Sequence, residues 1–416
     1  MIRQQTTHPP IARTQTNRVK LPIDTVLFGT MLALIVVGLW MVFDASYVKT
    51  LDNAKMGHDA FYFVKKQSAG VIAGFGAVWL MMRLGYWRLR KLAFPLMLTG
   101  IALLAAVYLP HVGVRENNAV RWLNLGPLKF QPSELAKLTL ILYLARLLSR
   151  RDCNVRDLVS GLGAPLFVAG LYLILIEREP DLGTAFVLFL AALTQMFLAG
   201  ARKRHLLGIC AVTGMAVLLM GFGWGHRTGR IKAYLHPDQD VQGIGYQAYH
   251  SRLAVGSGGL LGEGLGEGRE KYFLPQGNSD FIFATLAEEL GFVRTVPVLA
   301  LLCLLGWRGF WIAIHAKDRF AGLLAAGIAA LISWQALINV GVATGAIPAT
   351  GVPLPFISFG SSSLVFLMAG IGLLLNISQY PTPPGHTVVP EGEGESRPIP
   401  QETQTPPVRR RSYGGR

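Results

Sequence analysis

One carboxylate of this sequence is a candidate for acid–base chemistry. Asp280 lies in the sequence Gly277-Asn-Ser-Asp-Phe-Ile-Phe283, where a long polar segment meets an apolar run. Partial desolvation at such a boundary makes a carboxylate a stronger general base. An aspartate there could equally cap a helix, because it accepts backbone N–H bonds and its charge favours the helix dipole. The residues alone leave both roles open.

A second candidate is a pair of opposite charges at the start of an apolar run. Glu134 and Lys137 are three residues apart, so they share one face of a helix and can pair. Pro132 suits the first turn of that helix, and Arg121 precedes it in the same polar segment. Ionisable residues inside membrane helices are costly and often functional. The pair predicts a structural clamp at the helix end, a polar wall of a membrane cavity, or both.

The longest polar segment also carries basic residues and many glycines. Arg230 and Lys232 come first, and seven glycines follow within residues 256–268. Glycine-rich backbone can bind anions. However, the Gly-Lys-Ser/Thr sequence of a nucleotide site is absent from this segment. The glycines therefore predict a flexible or tightly turning loop.

The remaining polar candidates lie at the ends of apolar runs. Glu289 follows Asp280 by about two helical turns, so acidic groups would line one helix. Ser358 and Ser362 offer hydroxyls for a polar ligand in the Pro- and Gly-rich segment 350–363. Residues 177–183 hold several charges around a proline and suit an outer turn. The segment 177–183 favours a structural turn, whereas a turn and a binding loop are equally open for the segment 350–363.

Composition predicts the elements that must position these residues. Apolar residues make up 51% of the 416 and charged residues only 15%, against about 25% in a typical soluble domain. The apolar residues fall in blocks of about 20, enough to cross a hydrocarbon core of about 30 Å as helices. We expect an all-α, polytopic membrane protein with about ten transmembrane helices and one large extracytoplasmic loop at 225–280. The runs are 22–44, 67–84, 91–110, 132–149, 158–176, 184–200, 205–224, 281–306, 320–344 and 360–378.

The positions of Lys and Arg predict the orientation. Cytoplasmic loops are enriched in basic residues, so we expect both termini in the cytoplasm and the protein in the cytoplasmic (inner) membrane. The same bias explains the net charge of +15. Nucleic-acid binding is not expected, because no recognition module is present. The basic inside segments are 83–91, 150–156, 202–204, 308–319 and 409–411.

The two ends of the chain are polar and are expected to be disordered. Residues 1–21 form a basic cytoplasmic arm, and residues 379–416 form a Pro- and Arg-rich cytoplasmic tail. The tail could increase solubility or dock a partner. The expected membrane domain is then 22–378. The three cysteines show neither a paired framework nor a metal-binding spacing.

Taken in order, these motifs resemble those of the SEDS family (shape, elongation, division and sporulation). The resemblance runs from about residue 22 to residue 378. The motifs that carry it are Arg121-Trp122, Gln131-Pro-Ser-Glu134 with Lys137, Pro180-Asp-Leu-Gly183, Asp280-Phe-Ile-Phe283 with Glu288-Glu-Leu-Gly291, and Gly351-Val-Pro-Leu-Pro-Phe-Ile-Ser-Phe-Gly360.

The resemblance implies a peptidoglycan glycosyltransferase acting on lipid II, a disaccharide-pentapeptide on undecaprenyl diphosphate. The donor would be the growing undecaprenyl-diphosphate-linked glycan. Asp280 matches the family's essential loop aspartate, and Glu134 and Lys137 match the polar pair of its membrane cavity. The implied partners are a class B penicillin-binding protein and other cell-division proteins. The polar arm and the long tail favour a division-type member at the septum.

In this reading Asp280 takes a proton from the acceptor sugar hydroxyl, which attacks the anomeric carbon. A single carboxylate fits one displacement with inversion. The departing diphosphate needs positive charge, and a divalent cation (Mg²⁺ or Mn²⁺) could share that task; no organic cofactor is expected. The candidate basic residues are Arg121, Lys137, Arg230 and Lys232.

Two other functions stay open at this stage. Many spans with buried charges also suit a lipid II flippase, which needs no general base. A non-enzymatic division scaffold would need none of the polar residues. Departures from the family pattern keep the scaffold alternative open, since Glu179, Gln276 and Asn278-Ser279 replace residues that are usual in the family.

Overall fold

Helices form most of the chain in the computed structural model, which describes residues 20–51, 56–109, 112–116, 119–125, 128–223, 234, 243, 245–274 and 276–381. Most of the expected arm and tail lies outside these residues. The described helices are α1 (Thr25–Asp44), α2 (Tyr47–Leu51), α3 (Tyr62–Leu84), α4 (Tyr86–Ala106), α5 (Pro132–Leu148), α6 (Gly163–Arg178), α7 (Leu182–Leu198), α8 (Lys203–Gly223), α9 (Tyr246–Ser257), α10 (Ile282–Ile314), α11 (Arg319–Ala343) and α12 (Ser361–Ser378).

Each of the ten predicted apolar runs coincides with one of the described helices. Six of the helices are long and apolar enough to cross a membrane, judged by length and composition. Helix α7 is also apolar, but it has only 17 residues. The expectation of a polytopic helical membrane protein is therefore confirmed. The six long apolar helices are α1, α3, α4, α10, α11 and α12.

A small antiparallel sheet lies between α4 and α5, which the expected all-α fold did not include. Its strands are β1 (Gly113–Glu116), β2 (Ala119–Leu125) and β3 (Leu128–Phe130), in that order across the sheet. The strands are only three to seven residues long, too short for their alternating pattern to be distinguished from a loop. The sheet leads into α5, where Pro132 occupies the first turn as predicted.

Helix α10 is kinked at Gly291, and the glycine-rich segment packs against the kink. Gly291 has φ 67° and ψ 179°, a backbone conformation that strongly favours glycine. The N–H of Phe292 donates to the carbonyl of Gly259 at 2.9 Å, outside its own helix. A Cβ on Gly291 would overlap the backbone of Gly262. The glycines of residues 258–268 thus make tight turns, one of the two alternatives that the sequence left open.

Helix α11 lies among its neighbours and is the most buried of the six long apolar helices. It contacts α5, α7, α10 and α12 along its length. Residues 344–360 follow its C-terminal end and form the irregular connection to α12. We call the end of the bundle that carries the sheet, α9 and residues 344–360 the loop end. Polar side chains on the last turns of α11 therefore lie at the loop end, where candidate residues from several elements come together.

Candidate active site

Asp280 lines a cavity of about 280 Å³ at the loop end of the bundle. Its side chain is half-buried. Helix α10 begins two residues later, and its N-cap is Phe281, which makes no side-chain capping bond. The N-cap position of α10 is therefore occupied by Phe281, the residue next to Asp280. The rest of the lining includes Gln247 and Arg252 of α9, Gln276, Ile347 and Gly351.

The backbone at Asp280 is held by a buried amide side chain of α11. Asn339 is fully buried, and its Nδ2 donates to the carbonyl of Asp280 at 2.8 Å and to that of Val352 at 2.7 Å. One amide thus joins α11, the turn before α10 and the segment before α12. A buried donor with two carbonyl acceptors fixes the position of both segments.

Ser358 fastens the same two segments together. Its hydroxyl donates to the carbonyl of Ser279 at 2.6 Å and accepts from the N–H of Leu354 at 2.7 Å. The residue is 6% exposed, so its hydroxyl holds the turn beside Asp280 in this structure. The Oγ of Ser362 is buried and has no hydrogen-bond partner among the described residues. Ligand binding by Ser358 and Ser362 stays a prediction.

The predicted pair of Glu134 and Lys137 forms inside the bundle. The Nζ of Lys137 lies 2.9 Å from Glu134, and both side chains are 4% exposed. Lys137 Nζ is also 3.5 Å from Oε1 of Gln335, whose Nε2 donates to the carbonyl of Pro353 at 3.0 Å. Gln335 precedes Asn339 by one helical turn of α11. The pair is therefore connected to the segment beside Asp280, although neither residue lines that cavity.

Arg121 of β2 binds the turn between α6 and α7. Its Nε donates to the carbonyl of Glu179 at 2.8 Å, and its Nη2 donates to that of Pro180. Burial raises the pKa of the Glu179 carboxyl to about 8, and the neighbouring charge of Asp181 adds to this. The turn expected within residues 177–183 is therefore present, and Arg121 is one of the groups that hold it.

Glu289 belongs to a separate ionic cluster near the kink of α10. Lys271 Nζ lies 2.7 Å from Glu289 Oε1 and 3.2 Å from Asp44 Oδ1, and all three side chains are buried. Glu289 also accepts from the N–H of Gly266 at 3.2 Å. It does not line the Asp280 cavity. Sequence reasoning missed Asp44 and Lys271, which are 227 residues apart and are brought together only by the tertiary fold.

Two further predicted residues, Arg230 and Lys232, lie outside the described residues. Arg252 of α9 lines the Asp280 cavity, and sequence reasoning did not single it out. The signal was weak, because α9 is short and its sequence lies inside a segment read as a loop. The one signal in the sequence is that Arg252 and Ala248 are four residues apart. This spacing would place both residues on the same face of a helix, and so in the wall of one cavity.

A family model described as "Cell cycle protein", and named for FtsW, RodA and SpoVE, matches residues 24–382. The chain belongs to this family. It is 37% identical over 356 residues to the probable peptidoglycan glycosyltransferase FtsW of Geobacter metallireducens, covering 85% of this chain and 94% of the relative. It is 39% identical over 360 residues to stage V sporulation protein E of Bacillus subtilis, covering 86% and 97%.

Solved structures support the same membership. A chain from the study "Structural coordination of polymerization and crosslinking by a peptidoglycan synthase complex" matches with a TM-score of 0.72 and 30% identity, over 86% of this chain and 98% of that one. The rod shape determining protein RodA of Thermus thermophilus matches with a TM-score of 0.64 and 31% identity, over 86% and 98%. The resemblance inferred from the motifs is thus confirmed at the level of the family.

Proposed function

We propose that this chain is a peptidoglycan glycosyltransferase that polymerises lipid II into glycan strands at the outer face of the cytoplasmic membrane. The observation that carries the proposal is the cavity at the loop end, with the Asp280 carboxylate in its wall. Family membership supports the activity, since relatives are named as probable peptidoglycan glycosyltransferases. The donor is the undecaprenyl-diphosphate-linked glycan, and lipid II supplies the acceptor hydroxyl.

Asp280 acts as the general base of this reaction. It takes the proton of the acceptor hydroxyl while that oxygen bonds to the anomeric carbon and the diphosphate leaves. The nearest carboxylates along α10 are engaged elsewhere, because Glu288 accepts from the N–H of Arg269 at 2.7 Å and Glu289 binds Lys271. No second carboxylate is among the described residues that line the cavity. A single displacement with inversion follows.

The leaving diphosphate requires positive charge near the cavity. Arg121 and Lys137 contribute directly only if they exchange their present partners for diphosphate oxygens. Arg230 and Lys232 remain candidates from the sequence. The described residues contain no group of three or more His, Cys, Asp or Glu side chains that could hold a metal ion. A divalent cation (Mg²⁺ or Mn²⁺) would neutralise charge on the substrate's diphosphate.

The proposed partner is a class B penicillin-binding protein that cross-links the new glycan, together with other cell-division proteins. The matching chain from a study of a peptidoglycan synthase complex supports this pairing. We place both termini in the cytoplasm and the protein at the division septum. A cysteine introduced at Glu267 should react with an impermeant thiol reagent added outside whole cells. A reporter fused to the C-terminus should be active only in the cytoplasm.

The activity is tested with the purified full-length chain, its penicillin-binding partner and labelled lipid II. A β-lactam blocks cross-linking by the partner, so that polymer length reports glycosyl transfer alone. Long glycan strands that a muramidase digests are the expected product. Lipid II that stays unpolymerised, with a folded complex, would contradict the proposed function.

A lipid II flippase is the second candidate, and the buried pair of Glu134 and Lys137 is the observation that favours it. Translocation of labelled lipid II in sealed vesicles separates the two activities. A flippase should keep transport in an Asp280→Asn variant, because transport needs no general base. A non-enzymatic scaffold should tolerate loss of Asp280, Glu134 and Lys137 together in a complementation test.

A further inference from the structure

Helix α9 places the positively charged side chain of Arg252 in the wall of the Asp280 cavity. The hydroxyl of Ser251 donates to the carbonyl of Ala343 at 2.8 Å, which docks α9 on the end of α11. The next residue, Arg252, donates from Nη2 to the carbonyl of Gly345 at 3.3 Å. Gly345 has φ 73°, and a Cβ there would overlap the guanidinium of Arg252. The backbone beside α11 is thus shaped to leave room for this arginine.

The guanidinium retains an unused donor in the cavity wall. Nε of Arg252 is buried and has no hydrogen-bond partner in the part of the chain that the structure describes. Leaving a buried donor of a charged group unpaired is costly. Among the described lining residues, Arg252 is the one with a permanent positive charge. An anionic ligand in the cavity would balance this positive charge.

The proposed reaction supplies such an anion. A carboxylate and a diphosphate in one cavity of about 280 Å³ repel each other, so the substrate's affinity depends on a nearby cation. A guanidinium suits this role because its planar fork binds phosphate oxygens in pairs. We infer that Arg252 binds the diphosphate of the lipid-linked substrate beside Asp280. This inference rests on the proposed function.

The role of Arg252 in the reaction follows from the charges. The bond between the anomeric carbon and the diphosphate oxygen breaks, and its electron pair stays on the diphosphate. The acceptor oxygen bonds to the same carbon, and its proton passes to Asp280. Arg252 keeps its own proton throughout and stabilises the charge that develops on the leaving group. It is thus a substrate-binding residue, distinct from the base.

Binding is measured without turnover, on the full-length chain in detergent, with farnesyl diphosphate and farnesyl monophosphate as probes. Arg252→Gln should weaken binding of the diphosphate by about 10- to 100-fold and of the monophosphate by much less. Arg252→Lys keeps the charge and should recover part of the affinity. The matched control is Arg269→Gln, which removes an arginine of the same segment whose side chain is 84% exposed. It should leave both affinities unchanged.

A second measurement uses the unaltered protein and so does not depend on a variant that folds. Phenylglyoxal modifies arginine side chains, and mass spectrometry reports the modification of Arg252. Farnesyl diphosphate should protect Arg252 and leave Arg269 reactive. Phosphatidylglycerol in place of farnesyl diphosphate should not protect. Protection by phosphatidylglycerol would overturn the inference, because an ordinary lipid head group would then occupy the site.

The inference also fails if a folded Arg252→Gln variant binds farnesyl diphosphate as tightly as the unaltered chain. Equal losses for the diphosphate and the monophosphate would likewise overturn it, since they indicate a structural role at Gly345. In the polymerisation assay, Arg252→Gln should raise KM for lipid II as well as lower kcat. Failure of the unaltered chain to polymerise would contradict the proposed function, whereas the binding experiments decide the role of Arg252 separately.

Discussion

At the scale of single residues, the buried carboxylates of this chain are stabilised in different ways. Glu134 has an ionic partner in Lys137 at 2.9 Å. Glu288 accepts two backbone N–H groups, from Arg269 at 2.7 Å and from Glu270 at 3.0 Å. Glu179 is fully buried, and neither of its carboxylate oxygens has a hydrogen-bond partner among the described residues. These differences predict different responses to mutation and pH.

Glu179 should make the stability depend on pH. Burial raises its pKa to about 8 from the ordinary glutamate value of 4.5. The folded state therefore keeps a proton that the unfolded state loses, and stability falls as pH rises from about 4.5 through about 8. Glu179→Gln should flatten this dependence. Melting temperatures in detergent between pH 5 and 8.5 test it, and equal slopes for both proteins would contradict it.

Removing one member of the pair of Glu134 and Lys137 should cost more stability than removing both. Lys137→Met leaves a carboxylate buried without its cation, at a cost of about 3–5 kcal/mol. Glu134→Leu combined with Lys137→Met removes both charges and should be milder. Denaturation in detergent gives the free energies of unfolding. A double variant at least as unstable as Lys137→Met would contradict this expectation.

The sequence was a better guide to which residues form the site than to the contacts that those residues make. Asp280 could be predicted because a lone carboxylate at the junction of a polar and an apolar segment is visible in the sequence. The pairing of Glu134 with Lys137 followed from helical spacing. The contact of Ser358 with Ser279 and that of Lys271 with Asp44 could not be predicted, because the residues are 79 and 227 positions apart in the chain.

At the scale of elements, two features position the site: the kink in α10 and the buried amide of α11. The kink lets the glycine-rich segment pack against α10, which brings Lys271 to Glu289. Asn339 fixes the turn that carries Asp280. The helices themselves were predictable, since apolar blocks are local. The kink was not, because Gly291 appears in the sequence as an ordinary helix residue.

Gly291→Ala should destabilise the protein by at least about 2 kcal/mol. The conformation at φ 67° and ψ 179° is strained for alanine, and the new Cβ would overlap the backbone of Gly262. The control is Gly256→Ala on α9, where a Cβ would meet no atom within 4 Å. Melting temperatures compare the two. A Gly291→Ala variant as stable as Gly256→Ala would show that the packing at the kink is dispensable.

Asn339→Asp should slow polymerisation and also lower stability, because it places a carboxyl group against two carbonyl oxygens at a fully buried position. The substitution removes the amide donor to the carbonyls of Asp280 and Val352 while keeping the size of the side chain. Displacing a catalytic group by about 1 Å can cost about 100-fold in rate. We expect a fall in kcat of at least about 10-fold with KM for lipid II little changed. A normal kcat in the folded variant would contradict this positioning role.

At the scale of the whole molecule, hydropathy and basic-residue patterns were sufficient to predict a polytopic helical membrane protein. The sheet of β1–β3 escaped prediction because its strands have three to seven residues. Helix α9 was missed because it lies in a polar segment. The site is formed by α9, the turn before α10 and the segment before α12. Tertiary packing brings these segments together, and no local sequence pattern indicates that they are in contact.

The most direct test of the central claim is glycan polymerisation by Asp280→Asn. The full-length variant is assayed with its penicillin-binding partner, labelled lipid II and a β-lactam, and its melting temperature and farnesyl diphosphate binding confirm the fold. The control, Asp59→Asn, removes an aspartate that pairs with the exposed Lys65 at 2.7 Å. We predict that Asp280→Asn lowers the rate by about 100- to 10,000-fold and that the control polymerises normally. Polymerisation by Asp280→Asn within a few-fold of the unaltered chain would contradict the assignment of Asp280 as the general base.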